Sequence, residues 1–152
     1  MSNALRETTL VVGGTGKTGR RVVERLRARN LPVRVGSRQG EPFDWDEAAT
    51  WAPALRGVSF AYVSFVPDLG VPGAAATVGA FAELAAESGV RRLVLLSGRG
   101  EAEAQRAERG VQSAGAEWTI VRCSWFDQNF SESFFLGPIR SGELALSVDT
   151  VR

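Results

Sequence analysis

The chain has 152 residues, 44% apolar and 23% charged, with a net charge of +1; this composition suits one globular domain with a sizeable core. Acids and bases are interspersed, so neither nucleic acid nor an anionic membrane is expected as a partner, and no apolar run approaches the ~20 residues that span a bilayer. There is no histidine and one cysteine, Cys123, which excludes zinc sites of the usual His/Cys kind, triads with a histidine base and an internal disulfide.

No metal site is expected. The lone thiol, and a start without an apolar secretory core, favour the cytoplasm.

Thr9-Leu10-Val11-Val12 reads as a buried strand, followed by Gly13-Gly14-Thr15-Gly16-Lys17-Thr18-Gly19 and an amphipathic helix from Arg20, with Val22, Val23 and Leu26 on one face. Strand, glycine-rich turn and helix in that order form either a phosphate cradle or a purely structural turn. In the cradle reading, Gly13 permits the tight turn, Gly16 lets a pyrophosphate approach the backbone, and Gly19 lets helix and strand pack closely. The N–H groups at the helix start then face the anion, with Thr15, Lys17 and Thr18 beside it.

Val33-Arg34-Val35 is a second strand, closed by Gly36-Ser37-Arg38, and Phe43-Asp44-Trp45 a short third. A helix is expected over 47–55, capped by Asp46, with Pro53 at a kink or in a late turn. Phe60 to Val66 is a fourth strand that Pro67 ends. Ala74 to Glu87 is a helix stopped by Gly89. Leu93 to Ser97 is a fifth strand, Glu101 to Gln112 a charged helix, and Trp118 to Arg122 a sixth strand.

Strand and helix alternate, and the continuous apolar runs predict strands covered on both faces. The fold class is therefore α/β, a doubly wound parallel sheet of the Rossmann type in the order 3-2-1-4-5-6. A ligand is expected at the carboxyl ends of strands one and four, where Ser64 and Phe65 stand beside the glycine loop.

At the end of the second strand, where a carboxylate usually receives the ribose hydroxyl of NAD, this chain has Ser37 and Arg38. A guanidinium there pairs with a 2′-phosphate, so NADP(H) is expected in preference to NAD(H); the alternative is a solvated arginine in a turn. Asp44 either accepts from the adenine amino group or caps a helix.

The glycine loop, Val35-Gly36-Ser37-Arg38, Arg91-Arg92-Leu93-Val94-Leu95-Leu96-Ser97, and Trp118-Thr119-Ile120-Val121-Arg122 followed by Trp125-Phe126 and Gln128-Asn129-Phe130 carry a resemblance. The chain resembles the atypical short-chain dehydrogenase/reductase superfamily, specifically NmrA-like NAD(P)-binding proteins, over nearly its whole length. Phe43-Asp44-Trp45 with Thr50-Trp51 and Ala54-Leu55 is most similar to the ergot-alkaloid reductase branch, of the festuclavine and agroclavine type. The resemblance implies a small-molecule substrate and matches Ser97 to the family's strand-end serine.

Two departures stand out. Carbonyl-reducing members often use a Tyr-x-x-x-Lys pair, whereas Tyr62, the single tyrosine, is followed at that spacing by Val66, and the single lysine is Lys17. Reduction of an iminium, which the branch resemblance implies, needs a hydride but no proton delivered to oxygen. Trp125, Phe126 and Phe130 then form an apolar wall, or else simply pack in the core, and Cys123, where the sixth strand opens toward the cofactor, is either a contact residue or a buried, inert thiol.

The second departure is length: members usually carry substantially more chain after the sixth strand. Residues 1–152 are accordingly expected to be the cofactor-binding domain, with 124–152 the start of a truncated substrate-binding part. Apolar surface left open in this way favours a homo-oligomer. A regulatory protein that binds NAD(P) without turnover is the alternative function.

Overall fold

The computed structural model describes residues 7–39, 41–132 and 135–143. The first apolar run forms β1 (Thr8–Val12), in which Leu10, Val11 and Val12 are completely buried. The glycine loop leads into α1 (Gly19–Ala28), which buries Val23 and turns its arginines to solvent. The strands β2 (Val33–Ser37), β3 (Glu41–Pro42), β4 (Val58–Val63), β5 (Arg92–Gly98) and β6 (Glu117–Cys123) complete a parallel sheet in the order β3-β2-β1-β4-β5-β6. This is the Rossmann order that the alternating pattern predicts.

The helices α2 (Trp51–Leu55), α3 (Ala74–Glu87) and α4 (Ala102–Ser113) follow β3, β4 and β5 in turn. α3 and α4 pack backbone to backbone: a β-carbon on Gly110 would lie 3.0 Å from the Cα of Gly79. Glu103 of α4 also reaches the start of α3, where its Oε1 accepts the N–H groups of Gly73 at 3.1 Å and Ala75 at 3.2 Å. These contacts fix α4 against α3, and α4 also packs on β5 and β6. Two short helices, α5 (Gln128–Ser131) and α6 (Leu136–Ser141), come last.

Four local expectations need correction. The third strand lies at Glu41–Pro42, not over Phe43–Trp45: Gly36 and Ser37 pair with Glu41 and Pro42. Phe43 and Trp45 leave the sheet edge because their rings join Trp51 and Phe81 in an aromatic cluster with edge-to-face contacts. Asp46 caps no helix. Its N–H donates to Asp44 Oδ1 at 3.0 Å, and a 3-10 turn over Ala48–Thr50 runs into α2. Pro53 is the third residue of α2, where the missing N–H has no intrahelical partner to lose and no kink is required.

β4 ends at Val63 rather than Val66. On its β1 side the partner strand has turned into the glycine loop, and Ser64 and Phe65 line the space so opened. Coverage on both faces fails at β6, the edge strand, where Trp118 is 47% and Val121 41% exposed. Ser133, Phe134 and the run Leu144 to Val148 lie outside the described residues.

Candidate functional site

Where the carboxyl ends of β1, β2, β4, β5 and β6 converge, a cleft of about 950 Å³ opens. It is lined by every residue that the sequence singles out for cofactor contact. From the glycine loop come Gly13, Thr15, Gly16, Lys17 and Thr18; from the β2 end, Ser37 and Arg38; from the following turn, Asp44. Ser64 and Phe65 follow β4, Ser97 lies in β5, and Cys123, Trp125 and Phe126 stand at the β6 end.

The loop is built by close backbone contacts. Gly13 has φ +72°, a conformation that favours glycine. The N–H groups of Gly13 and Gly14 donate to the Gly36 carbonyl at 3.0 and 3.3 Å, joining the loop to the end of β2. A β-carbon on Gly19 would come within 2.1 Å of the Gly13 carbonyl oxygen. Gly14 is equally constrained, since its β-carbon would lie 2.8 Å from Val35 Cγ1 and 2.9 Å from the Val11 oxygen. The spacing of three singles out positions 13, 16 and 19 and passes over Gly14.

The N-terminus of α1 is ready for an anion. Thr18, its N-cap, makes no side-chain capping bond, and the first turn carries no acidic residue. The first-turn amides and the positive end of the helix dipole therefore meet no negative group of the helix itself. At the β2 end, Ser37 Oγ accepts the Gln39 N–H at 3.3 Å and donates to no group among the described residues, beside the exposed Arg38. An uncapped helix start, a glycine cradle and a hydroxyl–guanidinium pair suit the phosphates of a dinucleotide.

Asp44 is held by local bonds: its carbonyl accepts Trp51 Nε1–H at 2.8 Å, and its carboxylate accepts the Asp46 N–H. Trp45 donates from Nε1 to the Ser64 carbonyl at 3.2 Å, tying the turn after β3 to the end of β4. Tyr62 is half-buried and hydrogen-bonds the side chain of Thr18, with Cys123 nearby. Burial pushes its phenol above the ordinary range, and the Thr18 bond opposes that in part.

At the other end, Trp125 is 56% exposed, and its ring meets Phe130 and Phe135, which stack on each other at 5.5 Å. This segment is tied to α1 by Glu132, whose carboxylate pairs with both Arg20 and Arg21. Hydrogen bonding from Arg21, with the charge of both guanidiniums, holds the Glu132 carboxyl below its usual range. Within the cleft, Ser97 donates to the buried carboxylate of Glu108, which Arg122 also grips.

Sequence reasoning misses Asp68 and Glu101 as lining residues. Glu101 Oε2 sits in a gap between two glycines, 2.8 Å from where a Gly70 β-carbon would be and 2.6 Å from that of Gly98. Gly98, directly after an apolar strand and three residues before a glutamate, is the available signal. Among the described residues no group of His, Cys, Asp and Glu could hold a metal ion, and no helix is long and apolar enough to cross a membrane.

No family model matches the chain. It is 31% identical to prestalk A differentiation protein A of Dictyostelium discoideum over 91% of this chain and 52% of that protein. It is 33% identical to agroclavine dehydrogenase of Claviceps fusiformis over 82% of this chain and 48% of the relative. Festuclavine synthase I of Penicillium roqueforti is 31% identical over 82% of this chain and 50% of its own length. The chain thus spans about half the length of the curated relatives it matches.

Among solved structures, a short-chain dehydrogenase/reductase superfamily protein from Agrobacterium tumefaciens with bound NAD superposes with a TM-score of 0.69. It is 22% identical and covers 88% of this chain and 55% of its own. Triphenylmethane reductase of Citrobacter sp., complexed with NADP(H), gives 0.65 at 15% identity, over 89% of this chain and 55% of its own.

Proposed function

Because the chain is a homologue of the agroclavine dehydrogenases and festuclavine synthases, with the Rossmann fold of the NAD(P)-binding short-chain dehydrogenase/reductases, we propose that it is an NADPH-binding oxidoreductase, or the cofactor-binding portion of one. The observation that carries this reading is the single cleft that joins the uncapped start of α1 to Ser37 and Arg38. Gly13, Thr15, Gly16, Lys17 and Thr18 hold the pyrophosphate, and Ser37 and Arg38 the 2′-phosphate. Asp44 and the β4 end, Ser64 and Phe65, flank the nucleoside. Ser97, Cys123, Trp125 and Phe126 surround the nicotinamide. The preference for NADP(H) rests on the missing carboxylate at the β2 end.

The bound cofactor supplies a hydride. The protein's part is to exclude water, orient the ring and hold the acceptor against it. The acceptor is a small apolar molecule, such as an iminium or quinone, packed on Trp125 and Phe126. A cationic acceptor suits a cleft lined by aromatic rings and by the carboxylates of Asp68 and Glu101, which neighbour each other at Gly70. In these 152 residues a Tyr-x-x-x-Lys pair does not occur, and iminium reduction does not require one.

A second reading, an NAD(P)-sensing regulator of the NmrA-like type that acts without turnover, is favoured by the position of the single tyrosine. Tyr62 hydrogen-bonds Thr18 of the glycine loop and does not line the cleft.

Parallel calorimetric titration with NADPH and NADH tests the cofactor assignment. Tighter binding of NADPH supports the loop and Arg38 together, equal binding removes the phosphate assignment, and binding of neither removes the cofactor. Oxidation of NADPH in the presence of a cyclic iminium or a quinone separates the enzyme from the sensor.

A further inference from the structure

The serine in β5 at the inner end of the cleft has its proton already engaged. Ser97 Oγ donates to Glu108 Oε1 at 2.6 Å. Arg122 donates from Nε to both oxygens of that carboxylate, at 2.9 and 3.1 Å, and from Nη2 to Oε2 at 2.6 Å. Glu108 is 2% and Ser97 4% exposed. The register places Ser97 and Arg122 side by side on β5 and β6, with Glu108 on α4 above them.

A carboxylate gripped by a guanidinium has no proton to give, so the polarity of the serine bond is fixed. A hydroxyl has one proton and two lone pairs. Among the described residues no group donates to the Ser97 oxygen. Ser97 therefore presents an acceptor, and only an acceptor, to the cleft it lines. A carbonyl oxygen brought there would meet lone pairs, whereas an N–H would be received.

We propose that Glu108 is a positioning residue which, through Ser97, makes the inner end of the cleft a receptor for the carboxamide N–H of the nicotinamide ring. This deepens the cofactor reading above and rests on it. A dinucleotide with its phosphates on the α1 start and its 2′ end at Arg38 directs its other end toward β5 and β6, and the carboxamide carries the N–H donors of that ring. Trp125 and Phe126, which also line the cleft, offer ring surface. The strand-end serine of this chain thus orients the cofactor and is turned away from protonating a substrate oxygen.

The test is calorimetric titration of the full chain with NADP+ and with its 3-acetylpyridine analogue, which has a methyl group in place of the carboxamide nitrogen. The wild type is expected to prefer NADP+ by roughly three- to tenfold, the range of one neutral hydrogen bond. In Glu108→Gln the side-chain oxygen goes to Arg122, which can only donate. The amide nitrogen then donates to Ser97, whose proton turns toward the cleft, and the preference is expected to vanish or invert. Ser97→Ala leaves the Glu108–Arg122 pair in place and is expected to abolish the preference without inverting it, an arm that stands even if Glu108→Gln folds poorly.

A merely structural role would weaken both nucleotides alike. Equal wild-type affinities, or a preference unchanged in Ser97→Ala, overturn the inference and leave the cofactor reading standing. Failure of the wild type to bind either nucleotide overturns both.

Discussion

Gly19 and Gly13 meet so closely that a β-carbon on the first would lie 2.1 Å from the carbonyl oxygen of the second. The obstacle is backbone, which cannot move aside as a flexible side chain would, and Gly13 is itself held to β2 through the Gly36 carbonyl. Gly19→Ala is therefore expected to displace the loop, at a cost of about 1–3 kcal/mol in stability, and to weaken NADPH binding more than tenfold. Thermal melting and calorimetry check this. Wild-type values in both would remove the close-packing argument.

Arg38 stands exposed beside Ser37 at the end of β2 and lines the cleft. Arg38→Ala is expected to lower NADPH affinity by about tenfold while leaving NADH affinity unchanged, since a charge-assisted bond to phosphate is worth roughly 1.5–3 kcal/mol and solvent exposure reduces it. The NADPH loss should shrink as salt rises. Equal losses for both nucleotides would place Arg38 outside phosphate recognition.

Much of this site is written in short-range signals. The glycine loop, its flanking strand and helix, and Ser37-Arg38 each occupy a few consecutive residues, so their place at one cleft follows from their spacing. The sheet order follows from the alternation of apolar runs with amphipathic segments. What escapes is contact between distant parts of the chain. Ser97, Glu108 and Arg122 form one unit only after α4 has packed over β5 and β6. Glu101 enters the cleft only because Gly70 and Gly98 leave space for it. Phe43 and Trp45 have strong strand propensity, yet the aromatic cluster with Phe81 draws them off the sheet edge and leaves Glu41–Pro42 to pair.

Glu108 also determines part of the acid response. Hydrogen bonding from Arg122, against the opposing effect of burial and with help from Ser97, holds its carboxyl below the ordinary carboxylate range. A depressed folded-state value means stabilisation that is fully present above the unfolded value of about 4.3 and lost as pH falls through the folded value. Wild-type melting temperature is expected to fall with pH below about 5. In Glu108→Gln the curve should be flatter, though not flat, because Glu103 and Glu132 are depressed in the same direction. Parallel curves for the two proteins would sink the assignment.

Trp125 is over half exposed and in ring contact with Phe130 and Phe135 after the β6 end. If it forms the wall for a hydride acceptor, Trp125→Ala should reduce turnover of a cyclic iminium by about tenfold or more. Its melting temperature should stay close to that of the wild type, as expected of an exposed side chain. Unchanged turnover with an altered melting temperature would make it a packing residue.

The close approach of Gly79 and Gly110 has a reach beyond the helix pair it joins. Two residues before Gly110, the same helix carries the carboxylate that receives the Ser97 proton, so the spacing of α4 from α3 also bears on where Glu108 sits over Ser97. The absent side chains between α3 and α4 thus act as a spacer for the polar geometry at the carboxyl end of the sheet. A methyl group added at position 110, where it would lie 3.0 Å from the Gly79 Cα, is expected to be felt in the hydrogen bonding of a serine it never touches.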